Sequence, residues 1–356
     1  MPTRREWLRS SSVALFGSLL AGTEPAAALP QAAQGARAAT RSPVKPARLK
    51  EGDTVGLVMP SFAQWDPDPL DILLDTLKAL GLKARLGKHL LDRRGYFAGR
   101  DEDRAADLNA MFADPGVDAI HCVRGGWGAA RLLPLLNWNT IARNPKILVG
   151  YSDITALLLA IHARTGLVTF HGPVGASTWN AFNVDWMRRV LWNGEAAVFA
   201  NAKETSDTLV PVKNRTRVIT PGKARGRLLG GNLTVFTTIV GSGFLPDFSD
   251  CILFLEDVEE APYSLDRMLT QLKLAGILSQ AKGVVWGTCD GCSPGEGFGS
   301  LTIPDILDDH VKTLGVPAYS GAMIGHVDRQ FTLPLGVQVE LDADAGTITM
   351  LESAIT

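Results

Sequence analysis

Between residues 54 and 170, short apolar runs alternate with stretches of helical spacing, and this alternation constrains the fold more than any other feature of the chain. Residues 54–60, 119–123, 147–150 and 168–170 read as strands. Residues 70–80, 101–112 and 154–164 have the spacing of helices, and 129–136 begins another after a group of glycines. Strands in regular exchange with helices predict a parallel sheet covered on both faces. We therefore expect an α/β fold with an N-terminal three-layer domain over 49–190.

The polar stretch 191–225 lacks a sustained period and reads as an interdomain connection. Beyond it, Gly230-Gly231-Asn232 opens a helix, and 265–278 reads as another. The strand-like runs are 251–255, 283–286, 318–324, 336–341 and 347–351. A second, smaller α/β domain is expected over 226–356.

The beginning of the chain reads as a targeting segment. Thr3-Arg4-Arg5-Glu6-Trp7-Leu8-Arg9 is a twin-arginine pattern, followed by an apolar run over 13–21 and the small residues Ala26-Ala27-Ala28. We expect a Tat signal peptide over 1–28 and a disordered lead-in over 29–48, hence an exported or periplasmic protein. The apolar run is shorter than the ~20 residues a membrane-spanning helix needs, so stable membrane insertion is not expected.

Composition narrows the partners. The formal net charge is -2, and Lys and Arg are scattered, which disfavours nucleic acid. Of the four cysteines, Cys289 and Cys292 have the spacing of a pair; Cys122 and Cys251 lie in apolar runs. No second Cys or His pair stands beside Cys289 and Cys292, so we expect no metal there and a structural or incidental role.

The strand ends carry the candidate chemistry. Gly150-Tyr151-Ser152-Asp153 places a serine where a buried strand turns into a helix N-terminus, a position at which backbone N–H groups stabilise an anion. A serine nucleophile needs a base and a group to orient that base. Of the six histidines, His326 leaves an apolar run for a loop, with Gly325 before it; Glu256 is the first charge after the apolar run 251–255. The glycine-rich turn at Arg124-Gly125-Gly126-Trp127-Gly128 leaves backbone N–H groups uncovered, and with the Asp153 N–H would form an oxyanion hole. It matches neither phosphate-loop pattern. The Gly-x-Ser-x-Gly elbow is absent, because Ile154 stands at the second glycine position, which disfavours the α/β-hydrolase fold.

At these residues the chain resembles the LD-carboxypeptidase family of serine peptidases, the group of murein tetrapeptide carboxypeptidases and microcin C immunity hydrolases. The resemblance rests on Arg124-Gly-Gly-Trp-Gly128, Gly150-Tyr-Ser-Asp153, Phe170-His-Gly-Pro173, Gly230-Gly-Asn-Leu233, Leu255-Glu-Asp257 with Arg267-Met-Leu-Thr-Gln-Leu272, and Gly325-His326 before Leu333-Pro-Leu-Gly336. It implies a Ser152, Glu256 and His326 triad, an oxyanion hole from Gly125, Gly126 and Asp153, no metal or cofactor, and a homodimer. It further implies an N-terminal domain resembling class I glutamine amidotransferases. The expected reaction is release of terminal D-alanine from a peptidoglycan-derived tetrapeptide, with Arg124 or Arg329 meeting the free carboxylate. Val327 stands where the family has a small residue, usually glycine, which bears on the shape of the pocket. The alternatives are hydrolysis of microcin-like peptidyl or aminoacyl nucleotides and, from another class, solute binding outside the cytoplasm. A glutaminase would need cysteine at position 152.

Overall fold

The computed structural model describes residues 42–203, 209–210, 213–293 and 299–356. The expected signal segment over 1–28 lies outside the described residues. The first five described strands, β1 (Thr54–Val58), β2 (Lys83–Leu86), β3 (Ala119–Cys122), β4 (Ile147–Gly150) and β5 (Thr169–His171), alternate with α1 (Asp68–Ala79), α2 (Asp101–Ala113), α3 (Trp138–Arg143) and α4 (Thr155–Thr165). These five strands pair in parallel. Every residue of β3 and β4 is buried, as expected of a parallel sheet covered on both faces.

The second half holds α5 (Ala181–Met187), β6 (Val198–Ala200), β7 (Arg217–Thr220), β8 (Lys223–Asn232), α6 (Leu233–Thr238), β9 (Cys251–Val258), α7 (Pro262–Leu274), β10 (Ala281–Asp290), α8 (Ile303–His310), β11 (Ala318–Ser320), β12 (Leu333–Leu335), β13 (Gln338–Asp342) and β14 (Thr347–Met350). Among the described residues the strands form two sheets, ordered β12-β5-β4-β3-β1-β2 and β6-β14-β13-β8-β9-β10-β11-β7. The second is parallel from β8 to β11 and antiparallel towards both edges.

Three expectations change. Among the described residues, the connection over 191–225 supplies β6 and β7 to the two edges of the second sheet. Both are short and largely exposed, so they lack the alternation that marks a half-buried strand. Of the expected lead-in over 29–48, residues 29–41 lie outside the described residues, and the rest is held to the fold: Val44 exchanges main-chain hydrogen bonds with Gly166 and Val168, and Lys45 pairs with Glu352 at 2.7 Å. β12, late in the chain, joins the first sheet antiparallel to β5, with Leu333 opposite His171. Its Pro334 is tolerated because β12 is an edge strand.

The two sheets meet through α4. Residues Thr155 to His162 are all buried, and a helix apolar on all sides cannot face water. It contacts β5 of the first sheet and β8 of the second. The Thr155 hydroxyl accepts the Asn232 N–H at 3.0 Å, and Gly231 leaves room for that approach, since a side chain there would overlap Thr155. A disulfide joins Cys289, near the end of β10, to Cys292 just beyond that strand.

Candidate active site

Ser152 sits where β4 gives way to the 3₁₀ turn that leads into α4. Its φ is 63°, in the left-handed region that a side chain adopts only at a cost of about 1–3 kcal/mol. Tyr151 before it is extended, so the chain reverses sharply at the serine and presents its side chain at the strand end. The Ser152 hydroxyl donates to His326 Nε2 at 3.1 Å, and His326 Nδ1 donates to Glu256 Oε2 at 2.9 Å. A carboxylate facing Nδ1 fixes the tautomer that leaves Nε2 free to accept a proton.

Glu256 lies in β9, directly opposite Asn232 of β8, and is wholly inaccessible to solvent. Its Oε1 has no partner among the described residues. Burial alone would depress the His326 pKa, but the hydrogen bond and charge of Glu256 outweigh it and hold the imidazole above its usual value. Next along the strand, Asp257 accepts from Asn232 Nδ2, the Thr234 N–H and the Thr234 hydroxyl, at 2.9–3.0 Å. Burial and the neighbouring Glu256 raise its pKa to about 6.

His326 does not leave a strand end as the spacing suggests. β11 stops at Ser320, and residues 321–326 form turns held from several directions. Asn201 donates to the Gly321 carbonyl at 2.7 Å and accepts the Met323 N–H at 2.9 Å; Thr288 donates to the Ile324 carbonyl. Beyond the histidine, Asn180 and Asn183 of the α5 region both donate to the Asp328 carbonyl. The side chains of Asn201, Asn180 and Asn183 escape sequence reasoning because lone asparagines in polar stretches carry no periodic signal.

Gly325 has φ 99°, and a side chain there would run into the Glu256 carboxylate. Gly325→Ala is expected to destabilise the fold by about 3 kcal/mol, from left-handed strain and overpacking together, read as a lower denaturant midpoint at unchanged slope.

The glycine turn lies against the serine: a side chain on Gly125 would meet Ser152 Cβ at 3.0 Å and Oγ at 3.3 Å. Gly126, also in the turn, has φ 116° and packs on Phe62. Asp153 is fully buried. Arg124 is half-buried and donates to the Ala63 carbonyl and Gln64 Oε1 at 3.3 and 3.4 Å, whereas Arg329 is exposed on the loop after His326. The other histidines have different surroundings. His121 bonds the Pro173 carbonyl, His162 the Leu167 carbonyl, His310 Asp266 and His89 Asp92. His171 is buried between Tyr151 and Phe254, and burial lowers its pKa to about 4. Among the described residues, the ligating atoms of His89, Asp92 and Asp103 lie within 4.8 Å of one another. Arg100 forks onto Asp103 there, so that carboxylate is already engaged.

A hydroxyl, an imidazole and a buried carboxylate in one hydrogen-bonded line, beside a glycine-rich turn, form an arrangement that can carry out acyl transfer. Comparison with known proteins agrees with that chemistry. The LD-carboxypeptidase N-terminal domain matches residues 55–172 and the LD-carboxypeptidase C-terminal domain residues 225–341. The chain is 38% identical over 312 residues to the probable murein peptide carboxypeptidase of Bacillus subtilis, covering 88% of this chain and 95% of that one. It is 33% identical over 300 residues to the murein tetrapeptide carboxypeptidase of Pseudomonas aeruginosa, covering 82% and 93%. The structure of the microcin C7 self-immunity protein in its wild-type apo state superposes with a TM-score of 0.80 at 28% identity, covering 88% of this chain and all of that one.

Proposed function

Because the chain belongs to the LD-carboxypeptidase family and is a serine-type carboxypeptidase, we propose that it hydrolyses the L,D-amide bond of murein tetrapeptides and releases the terminal D-alanine. The observation that carries this reading is the hydrogen-bonded line from a left-handed Ser152 through His326 to a buried Glu256.

In the proposed mechanism His326 Nε2 takes the Ser152 proton as Oγ attacks the carbonyl carbon on the L-configured side of the bond. The oxyanion is met by backbone N–H groups of Gly125, Gly126 and Asp153. His326 then gives its proton to the D-alanine nitrogen as the C–N bond breaks, leaving an acyl-enzyme. Water, deprotonated by the same imidazole, hydrolyses the ester and regenerates Ser152. Glu256 orients the ring and stabilises its charged form. Arg124, beside the glycine turn, is the better placed cation for the substrate carboxylate, since Arg329 is exposed and outside the turn.

Incubation with defined muropeptides and mass analysis tests the substrate. We expect loss of one alanine from tetrapeptides and none from pentapeptides. The superposition with the microcin C7 self-immunity protein supports a second reading, hydrolysis of an aminoacyl nucleotide. Cleavage of such a compound with tetrapeptides untouched would replace the first reading by the second. Solute binding without turnover would appear as tetrapeptide retained intact at saturating affinity.

The pH dependence follows from the base. His326 must be neutral to accept the serine proton, and Glu256 holds its pKa above the ordinary 6.5. kcat/KM is therefore expected to fall as pH drops through a value above 6.5, with the limb visible in a profile from pH 5 to 9.

The reading also includes Tat export, a homodimer, and an N-terminal domain resembling class I glutamine amidotransferases. The paired Arg4 and Arg5 support export. Retention of the double lysine variant in the cytoplasm by fractionation, and a dimer mass by sedimentation, are the expected results.

A further inference from the structure

The carboxylate next to the nucleophile has a task that its main-chain role does not explain. Asp153 Oδ2 accepts the Ser61 hydroxyl at 2.5 Å and the Ala129 N–H at 2.7 Å. Its Oδ1 has no partner among the described residues. Ser61 follows β1, Ala129 ends the glycine turn after β3, and Asp153 follows β4; these three strands are neighbours in the first sheet. One buried side chain thus ties together the ends of three adjacent strands.

Arg104 of α2 grips the same two loops at the preceding residues. Its side chain is 1% exposed and donates to the carbonyls of Pro60 and Gly128, while also pairing with Asp101. The peptide joining Gly128 to Ala129 is therefore held at both ends, its C=O by the Arg104 guanidinium and its N–H by the Asp153 carboxyl. A buried polar side chain is retained where hydrogen bonds offset its desolvation; the Ser61 hydroxyl and the Ala129 N–H supply them to Asp153, and Asp101 with two carbonyls supplies them to Arg104. Burial pushes the Asp153 carboxyl pKa up, against the pull of Ser61, Ala129, Gly128 and Arg104.

What the arrangement holds in place is the turn over 125–128. Its first residue lies against Ser152, its second packs on Phe62, and the Phe62 N–H donates to the Gly125 carbonyl at 3.3 Å. The far end of the turn is the clamped peptide. A glycine-rich turn has no side chains to fix its own geometry, and donors aimed at an oxyanion need to stay within a fraction of an ångström.

We propose that Asp153, with Ser61 and Arg104, is a positioning residue: its buried side chain clamps the glycine turn against Ser152 so that the backbone donors are in place before the transition state forms. The proposal rests on the serine-peptidase reading above. An arrangement that matters only in the transition state lowers kcat and leaves substrate affinity alone.

The test compares Ser61→Ala, Asp153→Asn and Ser152→Ala with the parent on a murein tetrapeptide, with circular dichroism to establish folding. Ser61→Ala removes one hydroxyl and keeps the Asp153 carboxyl, so it reports even where a change at Asp153 prevents folding. Ser61→Ala is expected to lower kcat about 10-fold and Asp153→Asn about 10²-fold, with KM within a factor of two. Affinity for a tetrapeptide boronate, a mimic of the tetrahedral intermediate, is expected to fall by the same factors. A folded Ser61→Ala variant with parental kcat and parental boronate affinity would overturn the clamp, as would a rise in KM that accounts for the whole loss. Parental turnover by Ser152→Ala would instead overturn the peptidase reading, and the clamp with it. An inactive Ser152→Ala beside an unaffected Ser61→Ala would remove the clamp alone.

Discussion

Ser152→Ala is expected to lower kcat on a murein tetrapeptide by about 10⁶-fold, the loss typical of removing a serine nucleophile whose base and orienting acid work as a unit. Residual turnover above the uncatalysed rate would come from backbone donors and substrate positioning alone. The variant keeps its left-handed φ, since alanine is as disfavoured there as serine, so its unfolding midpoint should match the parent. Ser152→Gly removes the hydroxyl and the left-handed penalty of about 1 kcal/mol together, offset by a similar entropy loss for glycine. Both variants should therefore be inactive and folded, a result readable from steady-state kinetics beside a thermal melt. An unfolded Ser152→Ala would remove the inference from activity to role.

Glu256→Gln is expected to cost about 10⁴-fold in kcat, the scale seen when a triad carboxylate loses its charge but keeps its shape. The amide is isosteric, and one carboxylate oxygen already lacks a partner among the described residues, so the pocket loses little hydrogen bonding. The charge is what changes. Glu256 raises the His326 pKa against the opposing effect of burial; without it, burial is opposed only by the weaker pull of Asp257 and Asp290, and the acid limb of kcat/KM should move to lower pH. The two readouts separate the contributions, because loss of rate without a shifted limb would mean that Glu256 shapes the site without setting the basicity of His326.

The first sheet is legible in the sequence because its central strands are continuous apolar runs and its helices carry a clear period. β4 falls at 147–150 both in the spacing and in the structure. The second sheet is less legible at its edges. β6 and β7 have three and four residues and mostly exposed side chains, so no periodic signal marks them. β12 hides for another reason, since Leu-Pro-Leu reads as a break rather than as a strand.

At the site, Ser152 and Glu256 are legible individually as polar residues that interrupt apolar runs. Their approach to His326 is not, because it depends on α4 bridging two sheets and on a turn that three asparagines hold. The Ser61 contact to Asp153 spans 92 positions. Nothing local in Pro60-Ser61-Phe62 announces it.

β12 has a consequence for dissecting the protein. The LD-carboxypeptidase N-terminal match ends at residue 172 and the C-terminal match begins at 225, which invites cutting the gene between them. A fragment carrying only the first would end with β5 stripped of its outer neighbour, because that neighbour is Leu333–Leu335. An uncapped parallel sheet of this kind offers a row of open main-chain groups to any other unpaired strand. During synthesis the same edge stays open until nearly the whole chain has been made, so the sheet that carries Ser152 is completed only after the segment that carries His326.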